Sequence, residues 1–589
     1  MQSISSFPAF KHSNRVHYGI MKAIGVIDSE TDPFLYGREP VEFIWGLYLE
    51  ERDGCEYYQF KGEDCTLQLM DFLAAKGWKG IIYAHNGGKF DYYFLLKHLA
   101  KFDFDYSINM IKSRISKLKF FDVEFRDSYL ILPVPLAATG DKLAFQYWKL
   151  WADTFNLTEK ELNQFDLEIE KAGIEDNDPR SDSPRLFYAE EIEIYLRQDC
   201  LGLYQNVRGF IDRFGLGLTL ANRSFAEMEK VNLKPLKSSQ YRDEVYRPYF
   251  FGGRCQAFDI GHFEGELTYL DINSAYPYAM TFPHFWGVEC DEYDHIDEVS
   301  PDLHQNCLID LDCYSKGAFP VRTKNGISYP DLKGSFSVTG WEYVEAVKLG
   351  LVEPIKFHCV KAPHEIRDFK PFILKFYAEK LAAEKAGDKQ GRLFAKLLMN
   401  SGFGRFAMNP ENWSHHMLTD IYEGTPEVAE ADKNQNEWEI VNRLEFAMLD
   451  VYERSIADTE KRFYNVATAA SITGYVRAMM MKSIAGVQNI LYCDTDSMIF
   501  EGTHNVELGD QLGEWAIEAK GRAVWIAGKK LYCFQEANGK YKTASKGVKL
   551  TPDQLKRVAL GEKVVWQNFA PSYSMKAATK FIERTVQST

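Results

Sequence analysis

Alternating apolar and polar positions mark a strand over KAIGVIDSET (22–31) and another at 267–272, and an apolar, strand-like run, LYCDTDSMIF, fills 491–500. Helical spacing with few breakers runs through FYAEEIEIYLRQDCLGLYQNVRGF (187–210) and again through 366–400 and 466–485. The polar, proline-bearing stretch EDNDPRSDSPR (175–185) reads as a surface loop, and FGLGLTL (214–220) breaks the helical pattern. A domain boundary is therefore expected near 215–240, with α/β character before it and α+β character after it. A chain of 589 residues is in any case longer than one hydrophobic core supports.

The run at 491–500 carries Asp494 and Asp496 among apolar residues. Carboxylates are costly to bury unless paired, hydrogen-bonded or bound to metal. A second strand, YLDINSAYP (269–277), also ends in an acid, Asp271, and is stopped by Pro277. If the two strands are neighbours, Asp271 and Asp496 converge, and Mg²⁺ with oxygen ligands would compensate both charges.

Composition narrows the field. At 46% hydrophobic and 26% charged the chain is ordinary globular protein, and no run of about 18 uncharged apolar residues suggests a membrane span. The first residues lack the apolar core of a secretory signal. The ten cysteines are scattered, with no zinc spacing, so reduced thiols and a cytoplasmic location are expected. A net charge of −15 argues against a polyanionic partner, but its distribution argues for one. Residues 1–200 hold 23 basic and 33 acidic residues; 366–405 hold nine and four, and 519–549 hold eight and one. Two cationic islands in an acidic chain suit local phosphate-binding grooves, although a basic run is also the ordinary make-up of a solvated face. In the first island, Lys385, Lys389, Arg392, Lys396 and Asn400 fall at helical spacings and would form one stripe, relieved by an anion. The plain alternative is an Asp388–Arg392 pair at i,i+4 with the rest solvated.

The N-terminal part carries a second set of acids. Asp28 and Glu30, two apart on a strand, share one face. Asn86 and Asp91 lie where YAHNGGKFDYYF passes from strand to helix, and Tyr195 and Asp199, four apart, share a helix face. Four acids, an amide and a phenol suit a two-metal phosphodiester hydrolase.

These residues resemble the DEDD-type 3′–5′ proofreading exonucleases of DNA polymerases, in their tyrosine-bearing form, with an RNase H-like fold. The resemblance implies that Asp28, Glu30, Asp91 and Asp199 bind two divalent metals, that Tyr195 orients the attacking water, and that Asn86, Phe90, Asp127 and Ser128 contact the single strand. DINSAYP, KLLMNSGFG, YCDTDS and GKKLY resemble, in order, the DxxSLYP, KxxxNSxYG, YxDTDS and KxY motifs of family B DNA polymerases. FFGGR (250–254) and QLGEW (511–515) are similar to segments of the protein-primed branch of phages, adenoviruses and linear plasmids.

The likeness implies a right-hand polymerase following the exonuclease domain. Exonuclease is expected over 1–220, palm over 240–283 and 464–520, fingers over 366–409 and thumb over 521–589. Two terminal-protein-region insertions would fill 284–365 and 410–463. Asp271, the Ile272 carbonyl and Asp496 would hold two Mg²⁺ or Mn²⁺, with Asp494 a weaker ligand or a residue behind them. Arg392, Lys396 and Asn400 would grip the dNTP, Tyr276 would sit beneath its sugar, and Phe403 would stack on it. Gly252, Gly253, Ser401, Gly404, Lys530, Tyr532 and Lys546 would lie along template-primer DNA. A monomer partnered by DNA, dNTPs and a priming terminal protein is expected. Ala275, Phe403 and Phe250 replace the Leu, Tyr and Tyr usual in these motifs. A DNA-primed polymerase and a replication scaffold without catalysis are the rival readings.

Overall fold

The computed structural model describes residues 22–32, 34, 36–99, 101–102, 106–136, 188–233, 240–324, 326–409, 414–420, 438–455 and 464–588. The loop expected at 175–185 and the N-terminal stretch weighed for a secretory signal lie outside the described residues, as do parts of the expected second insertion. Two compact units emerge. One joins Met1–Thr219, Asn412–Ser455 and Phe569–Ile582; the other joins Leu220–Glu411, Ile456–Asn568 and Glu583–Thr589.

The first unit is built on strands β1 (Ala23–Thr31), β2 (Glu42–Glu51), β3 (Gly54–Lys61), β4 (Gly80–Ala84), β5 (Tyr106–Ile111), β6 (Arg114–Phe120) and β7 (Val123–Asp127), in the order β3-β2-β1-β4-β7-β6-β5. The β1–β4 and β4–β7 pairs are parallel and the others antiparallel, an RNase H-like arrangement. All five residues of β4 (GIIYA) are buried, as a parallel strand covered on both faces requires. Helices α1 (Cys65–Lys76) and α2 (Asp91–Leu99) pack into the core with Trp45, Leu69, Leu73 and Phe94. The long helix Ala189–Phe214 buries Ile192, Leu196, Asp199, Cys200 and Leu203, a single stripe, against β1 and β2. That stripe carries Asp199 over the strand bearing Asp28 and Glu30.

Residues of the stretch 410–463, read from sequence as an insertion in the polymerase half, belong to this first unit. Strands Ser414–Asp420, Leu449–Ser455 and Glu439–Leu444 form an antiparallel sheet in that spatial order. Its Leu418, Leu444, Leu449 and Val451 join the core that holds Trp45 and Phe94. Tyr573, from 569–582, stacks on Tyr93 at 4.7 Å between ring centres.

The second unit centres on an antiparallel seven-stranded sheet running Tyr541–Ser545, Leu531–Glu536, Trp515–Gly528, Gly261–Ile272, Ser497–His504, Val487–Asp494 and Cys255–Ala257. Residues 284–365 fold into a four-stranded antiparallel sheet with helix Gly340–Lys348, and their core around Ile309, Leu311, Val338 and Val360 also takes in Met481 of helix Val466–Ala485. Helix Val466–Ala485 is buried along most of its length.

The expected continuous stripe from Lys385 to Asn400 is interrupted. Helix Lys370–Lys385 stops at Gly387, which adopts a left-handed φ of +69°, and a new helix, Lys389–Phe406, starts at Asp388. Asp388 is the N-cap, its Oδ1 accepting from the Gly391 N–H at 2.8 Å, and it meets Arg392 through its backbone carbonyl, which accepts the Arg392 N–H at 3.0 Å, rather than through an ion pair. Arg392 instead faces Glu384 at 3.5 Å, across the helix turn. Among the described residues no helix is long and apolar enough to cross a membrane.

Candidate active sites

Backbone register brings the two C-terminal acids together. Strands Gly261–Ile272 and Ser497–His504 pair with Ser497 opposite Asp271, and the Ile272 N–H donates to the Asp496 carbonyl at 2.8 Å. Asp271 and Asp496 thus emerge side by side at the ends of adjacent strands. Burial first, and then the Asp496 and Glu518 carboxylates, push the Asp271 carboxyl up to about 7. Burial and the neighbouring Asp494 push Asp496 up to about 6. Two hard, half-buried carboxylates whose charges are unfavourable together fit a divalent cation with oxygen ligands.

Asp494 is turned elsewhere. The 494–496 turn closes through an Asp496 N–H to Asp494 carbonyl bond of 2.7 Å, around Thr495 at φ +63°. Such a three-residue γ-turn is rare, and positive φ is costly for a β-branched residue, so the surroundings must hold it. They do: the Thr495 N–H donates to the Arg254 carbonyl at 2.6 Å, and a Cβ on Gly253 would fall 2.6 Å from the Thr495 methyl. Glycine is therefore required at 253 by contact with the turn. The Asp494 carboxylate accepts from Lys530 Nζ at 2.7 Å; burial disfavours the ammonium charge, but this bond holds it above its ordinary range.

Over this floor, Tyr276 and Phe403 stack with ring centres 4.0 Å apart and planes 13° from parallel. Phe403 thus keeps a stacking role without the phenolic oxygen usual there. Arg392 and Lys396 are exposed on helix Lys389–Phe406, and Lys396 acts electrostatically on Asp271. Asn400 donates to the Lys396 carbonyl at 2.8 Å, Ser401 Oγ donates to the Leu398 carbonyl at 3.1 Å, and Gly404 has open space beside it. Sequence reasoning missed Lys380. It is a third cation of this group, its ammonium pushed down by burial and by Arg392 and Lys396 against the pull of Glu384. Also missed were Glu518, which bonds Lys542 at 2.6 Å, and Lys542 itself, over the Tyr269 ring.

The sheet end treats its remaining candidates unequally. Tyr532, expected against DNA, is buried, and its hydroxyl meets that of Tyr269 at 3.0 Å. It supports the sheet rather than offering a surface. Lys546 is exposed and its N–H donates to the Lys530 carbonyl at 3.0 Å. Gly252 is open at its Cβ position.

In the first unit Asp28 and Glu30 are half-buried on β1, opposite Gly46 and Ile44. The Cys200 thiol, on the long helix beside Asp199, is pushed up by burial and then by Asp28, Asp199 and Glu30. Those three carboxylates therefore all act electrostatically on one buried thiol, which stays protonated. Tyr195 lies one helical turn before Asp199 and is half-buried. Asp91 starts α2, and Ser29, between Asp28 and Glu30 in β1, donates to its Oδ1 at 2.6 Å; burial pushes its carboxyl up to about 6. Among the described residues no three His, Cys, Asp or Glu side chains form a ready-made metal cage.

Asp127 and Ser128 were expected on the strand-binding face, but both are buried. Asp127 accepts from the backbone N–H groups of Asn86 (3.0 Å), Gly88 (3.2 Å) and Tyr129 (2.9 Å) and from Arg114. Ser128 Oγ lies 3.0 Å from His85 Nδ1. They shape the 85–90 loop from behind. Glycine is required at 88, because a Cβ there would sit 1.9 Å from the Ile115 carbonyl oxygen. Asn86, at φ +66°, is exposed and accepts from Arg114 at 2.8 Å. Phe90 is half-buried, edge-on to Phe94 and Phe34.

A family profile described as DNA polymerase type B, organellar and viral, matches residues 74–490. A DNA-directed DNA polymerase of Enterobacteria phage PRD1 is 33% identical over 96% of this chain and 98% of its own length. A probable DNA polymerase of Agaricus bitorquis is 23% identical over 78% of this chain and 64% of its own. Among solved structures, phi29 DNA polymerase complexed with primer-template DNA aligns with a TM-score of 0.67 at 16% identity, covering 96% of this chain and 100% of that one, which is a likeness of fold.

The raised carboxyls set a pH dependence. Asp271 and Asp496 bind protons more tightly folded than unfolded, so the stability they contribute is full at low pH and is lost as pH rises through about 6 to 7. A divalent cation competes with those protons. Thermal melts with and without Mg²⁺ should show a stabilisation that grows from pH 5.5 to 8, and Asp271→Asn should shrink the pH 8 gain. An Mg²⁺ effect that is independent of pH and unchanged in the variant would refute this assignment.

Proposed function

Because the chain belongs to the organellar and viral type B DNA polymerases, in their protein-primed branch, we propose that it copies DNA by nucleotidyl transfer at the Asp271–Asp496 site, edits at the Asp28–Glu30–Asp199 site and starts on a terminal protein. The observation that carries the reading is the meeting of Asp271 and Asp496 beneath stacked Tyr276 and Phe403, with Lys380, Arg392 and Lys396 close by.

In synthesis the primer 3′-oxygen attacks the α-phosphorus of a dNTP, the bond to the bridging oxygen breaks, and pyrophosphate leaves. Lys380, Arg392 and Lys396 bind the triphosphate and offset its charge, which grows on the leaving group. Phe403 and Tyr276 present a flat apolar platform; Tyr276, beneath the sugar, leaves no room for a 2′-hydroxyl. Lys530, paired with Asp494 in this structure, is the cation available to a primer phosphate at the same edge. When bound by Asp271, Asp496 and the Ile272 carbonyl, two Mg²⁺ or Mn²⁺ ions would lower the pKa of the attacking hydroxyl and neutralise developing phosphate charge.

In editing, Asp28, Glu30, Asp91 and Asp199 would hold two divalent ions, Tyr195 would orient the attacking water, and Asn86 and Phe90 would receive the unpaired primer end. Asp91, its carboxyl raised to about 6 by burial and held by Ser29, joins that set in its ionised form. The 284–365 region, with its own four-stranded sheet, is the part available to contact a priming protein.

Separation of the two activities tests the reading. Asp496→Ala should lower primer extension by at least about 10²–10³-fold, as expected when charge stabilisation is removed, while degradation of single-stranded DNA persists. Asp28→Ala with Glu30→Ala should do the reverse. Equal loss of both activities in either variant would contradict two separate sites.

Priming has its own assay. Incubated with a co-encoded candidate terminal protein, template and labelled dNTP, the enzyme should transfer dNMP onto a Ser, Thr or Tyr hydroxyl of that protein, releasing pyrophosphate. Extension of DNA primers without any labelled protein would point to DNA priming instead.

A further inference from the structure

The most completely buried ion pair among the described residues involves no group named in the mechanism, although its arginine acts electrostatically on Tyr276. Arg477 on helix Val466–Ala485 is 1% exposed and Glu342 on helix Gly340–Lys348 is fully buried. They meet as a two-pronged fork: Nε to Oε1 and Nη2 to Oε2, both at 2.7 Å. Glu342 is itself fixed, its Oε2 accepting from the Thr339 hydroxyl at 2.7 Å as part of a capping box. The remaining Arg477 nitrogen, Nη1, donates to the carbonyls of Phe251 and Gly252, the latter at 3.0 Å, and to Thr473 Oγ1 at 3.2 Å. Every prong of the guanidinium is used.

What the fork holds is the segment that shapes the site. Beyond Gly252, Gly253 lies against Thr495, and the Arg254 carbonyl accepts the Thr495 N–H. The Tyr276 hydroxyl is acted on electrostatically by Arg477 and by the Gly253 backbone. One short strap, 251–254, therefore touches the strained turn that presents Asp496 and lies within electrostatic reach of the tyrosine assigned to the sugar. A buried ion pair is poor value as a stabilising device, because desolvation offsets its attraction and apolar residues of similar size often serve as well or better. Its geometric yield is different: a planar, fully bonded fork fixes two backbone carbonyls in a way that no apolar pair or lysine can.

We propose that Arg477 and Glu342 are positioning residues for nucleotide selection, holding strap 251–254 so that Thr495 and Tyr276 keep their places. This rests on the polymerase reading above. Because Glu342 belongs to the 284–365 region, that region contributes a fixed point to the active site and is more than an appended docking module.

The test uses the full-length protein, with Arg477→Lys, Glu342→Gln and the apolar pair Arg477→Met/Glu342→Leu. Each is measured for melting temperature, for kcat and KM of single-dNTP insertion, and for the ratio of dNTP to rNTP insertion. The single variants should raise KM for dNTP by about tenfold and lower sugar discrimination by a similar factor, the scale expected from misplacing reacting groups by a fraction of an ångström to one ångström. The apolar pair should recover melting temperature while discrimination stays low. If the variants lose melting temperature with KM and discrimination unchanged, or if the apolar pair restores discrimination along with stability, the pair is structural only and the proposal fails. Absence of insertion by the unaltered protein would instead overturn the polymerase reading, and this inference with it.

Discussion

Two carboxylates that repel each other and lose solvation stand at the ends of neighbouring strands, and the organisation of the second unit follows from holding Asp271 and Asp496 there. Burial raises both carboxyls, with Asp496 adding to the shift of Asp271 and Asp494 to that of Asp496. A hard cation offers a better solution, and the surroundings are arranged for charge of the opposite sign to arrive. Lys380, Arg392 and Lys396 approach from the helical pair, while Lys530 already satisfies Asp494. Lys396 and Lys542 act directly on Asp271, and Lys530 bonds Asp494, so these cations offset part of the acids' charge.

The backbone carries the strain of this arrangement. A β-branched residue in a γ-turn is unfavourable in isolation, and Thr495 keeps that shape because Gly253 and the Arg254 carbonyl press and bond against it. The Gly253 strap is in turn fixed by a buried fork spanning two helices. The site is thus rigid by layers: register sets where the acids emerge, the strap sets the turn, and the Arg477–Glu342 pair sets the strap. The first unit works on the same principle in a simpler form, with Asp127 gathering three backbone N–H groups to shape the loop that carries Asn86.

Much of this was legible in the sequence, and the failures have physical causes. Acids on strand-like runs announced Asp271 and Asp496, since nothing apolar explains them, and family resemblance supplied the fold class. The cationic stripe was overdrawn because helical spacing continues across Gly387, where a left-handed glycine ends one helix and Asp388 begins another. Asp127, Ser128 and Tyr532 match motif positions, but a motif does not state which way a side chain points, and all three turn inward. Residues 412–455 carry apolar strands whose pattern says that they need a core without saying whose. Arg477 and Glu342, 135 positions apart, give no local signal at all.

At the proposed point of nucleotide transfer, Asp271 and Asp496 would share divalent cations. The most direct measurement is anomalous scattering from crystals of the protein grown with primer-template DNA, a non-reactive dNTP analogue and Mn²⁺. Strong manganese peaks between the two carboxylates and the triphosphate, with Lys530 released from Asp494 toward the primer, are the expected result. Manganese bound elsewhere, with Asp271 and Asp496 still facing each other unligated beside a bound nucleotide, would contradict the account.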